Sequence, residues 1–258
     1  LGYRAAYFLT AVLLFISALS VVFFVREDFH PPAHDDGKAR AAARVRPRER
    51  VRRYLAPVLG SAALLSVLGV SVLVRLGGGL ISSVLALFVE SIAAPGARVA
   101  SLSGLVSGTS AAGGAVGALL LGRLGDRYGH RPMLIVCSVI STLCYTLQGF
   151  ARSPGQLVAL QALTGLSMGG ILASLSAALA RLAPAGQEGV VYGVNAGLAS
   201  AVNAIAPMTG SALAVWLGLR VPFFAAAASF LISGGAAARS LPSEVMTDPT
   251  QDEARAKV

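Results

Sequence analysis

Residues 122–132, Gly-Arg-Leu-Gly-Asp-Arg-Tyr-Gly-His-Arg-Pro, hold the densest chemistry in the chain: one carboxylate, three arginines and a histidine among three glycines. A carboxylate here can accept from a helix N-terminus or an arginine elsewhere, because an anion is favoured at the positive end of a helix dipole. Gly125 and Gly129 permit tight turns, so the segment reads as a compact charged turn. Arg75 is the only ionisable residue well inside an apolar stretch. Such a charge costs a few kcal/mol to bury in lipid and normally faces a cavity or a partner. Arg75 therefore either binds an anionic group of a substrate or pairs with an acid. If it lies nearer the interface, its guanidinium instead snorkels outward.

Gly165-Leu166-Ser167-Met168-Gly169 matches the hydrolase elbow pattern. It sits in mid-span, however, and His30, His34 and His130 all read as residues of polar loops, so no base reaches Ser167. No metal-ligand spacing and no phosphate-cradling loop occur. The expectation is no enzyme, no cofactor and no metal.

The elements that must position these residues are membrane helices. Hydrophobic residues make up 55% of the chain, charged residues 13%, and the mean hydropathy is +0.71. A soluble domain carries about a quarter charged residues. The charges are clustered, leaving apolar stretches near the ~20 residues that cross a bilayer. The net charge of +9 reflects Lys and Arg in cytoplasmic loops rather than a nucleic-acid partner. Cys137 and Cys144, seven residues apart on one helix, are too far apart for a disulfide at ~1.5 Å per residue and read as packing thiols.

Seven spans are expected, at about 5–25, 64–89, 101–121, 132–150, 156–180, 189–215 and 221–238. The second is ambiguous: Leu55 to Val89 is too long for one helix and too short for two with a loop, and its first part, with Pro57 and Gly60, reads as an interfacial approach. With this count sixteen basic residues fall on one side and four on the other. The side of the sixteen is cytoplasmic by the positive-inside rule, which puts the C-terminus inside.

Gly122, Leu124, Gly125, Asp126, Arg127, Gly129 and Arg131 match the signature loop of the major facilitator superfamily of secondary transporters, with His130 departing at a basic position. The chain resembles that superfamily, most closely its twelve-span drug:proton antiporter branch, from Leu1 to about Leu241. Leu1-Gly2-Tyr3-Arg4 through Phe8 is echoed by Leu217-Gly218-Leu219-Arg220 through Phe224, both opening a span on the same side. Parallel six-span repeats are the architecture of the family. On that register the chain begins at the sixth span of a twelve-span protein and lacks the first five.

The expected fold is thus an all-α membrane protein of seven transmembrane helices, the sixth span plus the C-terminal six-helix bundle. Residues 1–26 form the last span of the N-terminal half, 27–56 a basic inter-half loop, 57–240 the bundle and 241–258 a cytoplasmic tail. The arginine-rich stretch Arg44–Arg53 either lies along anionic headgroups or is a plain linker.

The resemblance implies that the signature loop is a conformational latch. Asp126 accepts from the partner bundle, and Arg127 and Arg131 are paired or face headgroups. It also implies a central cavity, to which Arg75, Ser82, Ser83, Gln161, Asn195 and Asn203 are assigned. Gly77, Gly78, Gly79 and Pro207 are expected helix bends. Ala206-Pro207-Met208-Thr209-Gly210 is similar to an antiporter bend with Ala for its first Gly. Glycine pairs at four-residue spacing (Gly104/Gly108, Gly113/Gly117, Gly165/Gly169, Gly193/Gly197) suit close helix packing. The expected partners are membrane lipid, a small-molecule solute, a proton as coupling ion and the missing N-terminal half. No Asp or Glu lies in mid-span, so a coupling acid belongs to that half. The expected function is proton-coupled efflux of amphipathic drug-like solutes across a bacterial inner membrane. The alternative is a non-transporting chain that serves only as a packing or assembly partner.

Overall fold

The computed structural model describes residues 3–24, 60–94, 96–184 and 186–240. The basic loop with His30, His34 and Arg44–Arg53, the tail beyond Ser240, Pro57 and the first two residues of the repeat lie outside the described residues. The chain divides into two compact units, Leu1–Arg50 and Val51–Val258. The first contributes α1 (Tyr3–Phe24), whose 22 residues give about 33 Å of helix, enough for the ~30 Å hydrocarbon layer.

The second unit holds α2 (Ala62–Ser82), α3 (Leu85–Ile92), α4 (Val99–Tyr128), α5 (His130–Gly149), α6 (Pro154–Leu182), α7 (Glu188–Leu217) and α8 (Val221–Ser240). All but the short α3 are long and apolar enough to cross a membrane. Helix is the form that satisfies every backbone group within one segment, as hydrocarbon demands.

Local signals set the boundaries. Ser61 caps α2 by accepting from the Leu64 N–H at 3.3 Å. Ser153 caps α6 in the same way, with Pro154 in the first turn, where its missing N–H costs nothing. The second span splits: α2 continues through Gly77, Gly78 and Gly79 and ends at Ser82, so the interruption falls at Ser83 and Val84. This resolves the over-long apolar stretch into a spanning helix and a short one after it.

The glycines of α2 serve close packing. A Cβ on Gly77 would lie 2.8 Å from the Phe230 ring of α8, and one on Gly79 would lie 2.6 Å from Ala206 of α7. Phe230 also stacks on Tyr145 of α5 at 5.2 Å, and Phe223 meets Phe88 of α3 at 4.6 Å. Around this aromatic centre α2, α5, α6 and α8 each bury half or more of their spanning residues, whereas α4 buries 11% and α7 17%.

α4 is held through α6. Side chains added at Gly113, Gly117, Gly165 or Gly169 would run into the opposing backbone at Ala162, Leu166, Ser110 and Gly114. Two of the four expected glycine pairs therefore form one backbone-to-backbone seam. Gly104, Gly108, Gly193 and Gly197 face open space. Overpacking a tight contact costs about 1–3 kcal/mol. Gly165→Ala and Gly117→Ala should each lower the thermal midpoint in detergent by several degrees, while Gly104→Ala and Gly193→Ala leave it unchanged.

Candidate functional site

At about 1.5 Å per residue the 30 residues of α4 measure roughly 45 Å, about 15 Å more than the hydrocarbon layer. The surplus carries the signature residues. Gly122 to Tyr128 are the last two turns of α4, and a single residue, Gly129, separates α4 from α5. The expected charged turn is therefore mostly helix. Gly129 has φ +96°, the left-handed region that favours glycine, and its N–H returns to the Gly125 carbonyl at 2.8 Å.

Gly125 is helical and buried, and it makes room rather than a turn. A Cβ there would sit 2.7 Å from Nδ1 of His130. His130 is not a loop residue: it opens α5 with its side chain 2% exposed. The ring packs against Gly125 and places Nε2 3.2 Å from Oδ1 of Asp126, a carboxylate 70% exposed. Neither ring nitrogen completes a hydrogen bond, so the contact with Asp126 is electrostatic and not an aligned donor–acceptor pair.

Arg131 is half-buried and paired. Its guanidinium donates to the carbonyl of Ala238 in the last turn of α8. A helix leaves its last four carbonyls without internal donors, and a cation at that negative end is favoured. Arg131 thus fastens α8 to the start of α5. Arg127 is exposed and lies 5.6 Å from the centre of the Tyr128 ring.

The residues assigned to a cavity divide. Ser83 donates to the Pro207 carbonyl at 3.0 Å and accepts from Ser211 at 3.0 Å. Asn195 accepts from Ser71 at 2.9 Å. Both contacts lie on the α2–α7 seam, where Gly210 also abuts the Leu80 carbonyl. Ser82 turns back to its own helix at the Gly79 carbonyl, Asn203 is exposed and Gln161 is buried. Arg75 is half-buried, with its Nε buried and unpartnered. α7 runs through Pro207, whose missing N–H leaves the Asn203 carbonyl without its usual helical donor. An apolar groove of about 570 Å³ between α4 and α6, lined by Thr109, Gly113, Val116, Ala162 and Leu166 among others, contains none of these residues.

Sequence reasoning passed over Gln148, which is fully buried and donates to Thr164 at 2.8 Å. An amide in an otherwise apolar span was the available signal. It also passed over Ser71 and Ser211, whose types carry none.

The Major Facilitator Superfamily model matches residues 67–257. The chain belongs to that superfamily. It is an integral membrane protein, and its residues 122–131 fold as a helix end, a one-residue turn and a helix start. Among curated proteins it is similar to the multidrug resistance protein MdtG of Salmonella arizonae and of Salmonella typhimurium, 28% identical to each over 222 residues. Those residues are 86% of this chain and 52% of each relative, so the chain spans about half the length of the curated relatives it matches.

The contact between Gly125 and His130 makes a specific expectation for this facilitator chain. Gly125→Ala should destabilise the bundle by about 1–3 kcal/mol, and His130→Ala in the same background should recover most of that loss. A double-mutant cycle in detergent unfolding checks it, with a coupling above about 0.5 kcal/mol as the expected result.

Proposed function

We propose that the chain supplies the C-terminal bundle of a two-bundle facilitator that exports small amphipathic, drug-like solutes across a bacterial inner membrane by alternating access, driven by protons. The arginine bias supports a cytoplasmic position for residues 122–131 and the C-terminus. The name of the MdtG relatives supports the drug-like solute class. A rocking transporter binds its solute between two bundles near the midplane, which makes a second bundle part of this reading.

The single observation that carries it is how little of α4 and of α7 the bundle covers. α4 and α7 bury few residues, their glycines 104, 108, 193 and 197 meet open space, and α4 ends in the exposed carboxylate of Asp126. Small residues permit close helix contact in lipid, so this face suits a second helical bundle. Asp126 then acts as the latch, accepting from that bundle and holding the cytoplasmic side shut. Gly122, Leu124, Gly125 and Gly129 shape the segment, and Arg127 and Arg131 anchor it. Arg75, with its unpartnered Nε, contacts an anionic group of the solute or an acid of the other bundle. Ser82, Ser83, Gln161, Asn195 and Asn203 line the same space as it opens, and Gly77–Gly79 and Pro207 give α2 and α7 their pliable points.

Efflux from cells of a fluorescent amphipathic dye that carries a carboxylate tests the reading. The chain expressed together with an upstream five-span segment should export the dye, and the chain alone should not. Arg75→Ala should abolish efflux at unchanged expression, and Asp126→Asn should lower it at least tenfold. An inert pair, with both parts present in the membrane, would mean that the chain serves only as an assembly partner.

A further inference from the structure

The signature pattern has a permanent cation where this chain has His130. Imidazole is the side chain whose ordinary titration falls between pH 5 and 8. Buried polar nitrogens nearly always find a partner, yet both nitrogens of His130 lack a hydrogen bond while the ring is 2% exposed. Its nearest opposite charge is the Asp126 carboxylate at 3.2 Å, and that group reaches solvent, which gives protons a route to the ring. Burial is the largest influence on the ring and, with Arg181 of α6, holds its pKa below the ordinary histidine value, so the proton is taken up only on the acid side; among the described residues the Asp126 carboxylate is the charge that favours the imidazolium. On α8 the Ala238 carbonyl accepts from Arg131, the residue after His130.

We propose that His130 is a positioning residue for Asp126: its protonated ring holds the carboxylate within this bundle, in competition with the partner bundle. The idea rests on the latch reading above. A proton on the ring makes the 3.2 Å contact a charge-assisted one, the stronger kind of hydrogen bond once aligned. When the partner bundle claims Asp126, the imidazolium loses part of its counter-charge and releases its proton to the cytoplasm. The linkage is reciprocal: cytoplasmic acid loosens the latch, and closing the latch expels a proton. No bond other than the N–H of the ring is made or broken.

Two measurements test this. Imidazole nitrogen NMR of the chain in detergent, with His30→Gln and His34→Gln removing the other two histidines, follows the His130 titration. Asp126→Asn should move its midpoint down by about one unit, and Arg181→Gln should move it up. In the two-bundle transporter, efflux at cytoplasmic pH 6 and pH 8 should differ by on the order of fivefold more than in His130→Gln or His130→Arg. The arginine variant should stay near the acid rate and the glutamine variant near the alkaline rate. A titration indifferent to Asp126→Asn, or the wild-type pH dependence retained in both His130 variants, overturns the proposal alone. Full efflux in Asp126→Asn removes the latch itself and the proposal with it.

Discussion

Helices in hydrocarbon gain little by hiding apolar side chains from one another, because lipid is as apolar as leucine. What holds them is contact at short range: packed backbones, interhelical hydrogen bonds and weak Cα–H to carbonyl contacts. The seam of Gly113 and Gly117 against Gly165 and Gly169 is where that constraint is met most tightly, each glycine facing a carbonyl of the other helix. Beyond that seam little of α4 is covered, 11% of its spanning residues being buried. The position of everything it carries, Asp126 included, therefore follows from four missing side chains.

A second constraint sorts the charges. α4, α6 and α7 have 29 or 30 residues, more than the hydrocarbon layer needs, so their ends stand clear of it. Arg123, Arg127 and Arg181 lie in such ends. Arg131, at the opposite face of the same junction, meets the last turn of α8. The signature segment thus ties α4, α5 and α8 together while leaving its one carboxylate exposed. Gly129 allows the reversal in a single residue, and Gly125 leaves space for the ring that follows. The departure at position 130 and the choice of glycine at 125 are one adjustment: the ring fits only because no methyl group stands under it.

Much of this was legible from the chain. Span boundaries follow from where charge, Ser and Pro interrupt apolar runs, and the expected spans begin and end within a few residues of the helices except at 64–89 and at the end of α4. Both exceptions have one cause. Hydropathy marks where lipid ends, not where helix ends, so it missed two helical turns carrying Arg123 to Tyr128 and could not see a break between equally apolar neighbours at Ser83. The burial of His130 was illegible because a histidine beside three arginines reads as solvated, and only the Gly125 contact makes a pocket for it. Among the expected cavity residues, sequence type alone could not separate Asn195, committed to Ser71, from Asn203, which is exposed.

The α2–α7 seam shows why such ambiguity has physical content. Ser83 stands at the break between α2 and α3, and its hydroxyl goes to the carbonyl of Pro207, the residue that interrupts the hydrogen-bond ladder of α7. Two local weaknesses in neighbouring helices are thus joined by one bond, with Ser211 donating into it. Below them Gly79 and Ala206, then Gly210 and Leu80, keep the backbones in contact. A seam of this kind resists separation but tolerates a change of angle, because hydroxyls and carbonyls can re-pair over short displacements while bulky side chains would interlock. Arg75 lies less than two turns before the Gly79 contact on α2, so a tilt of these helices together would carry its guanidinium with them.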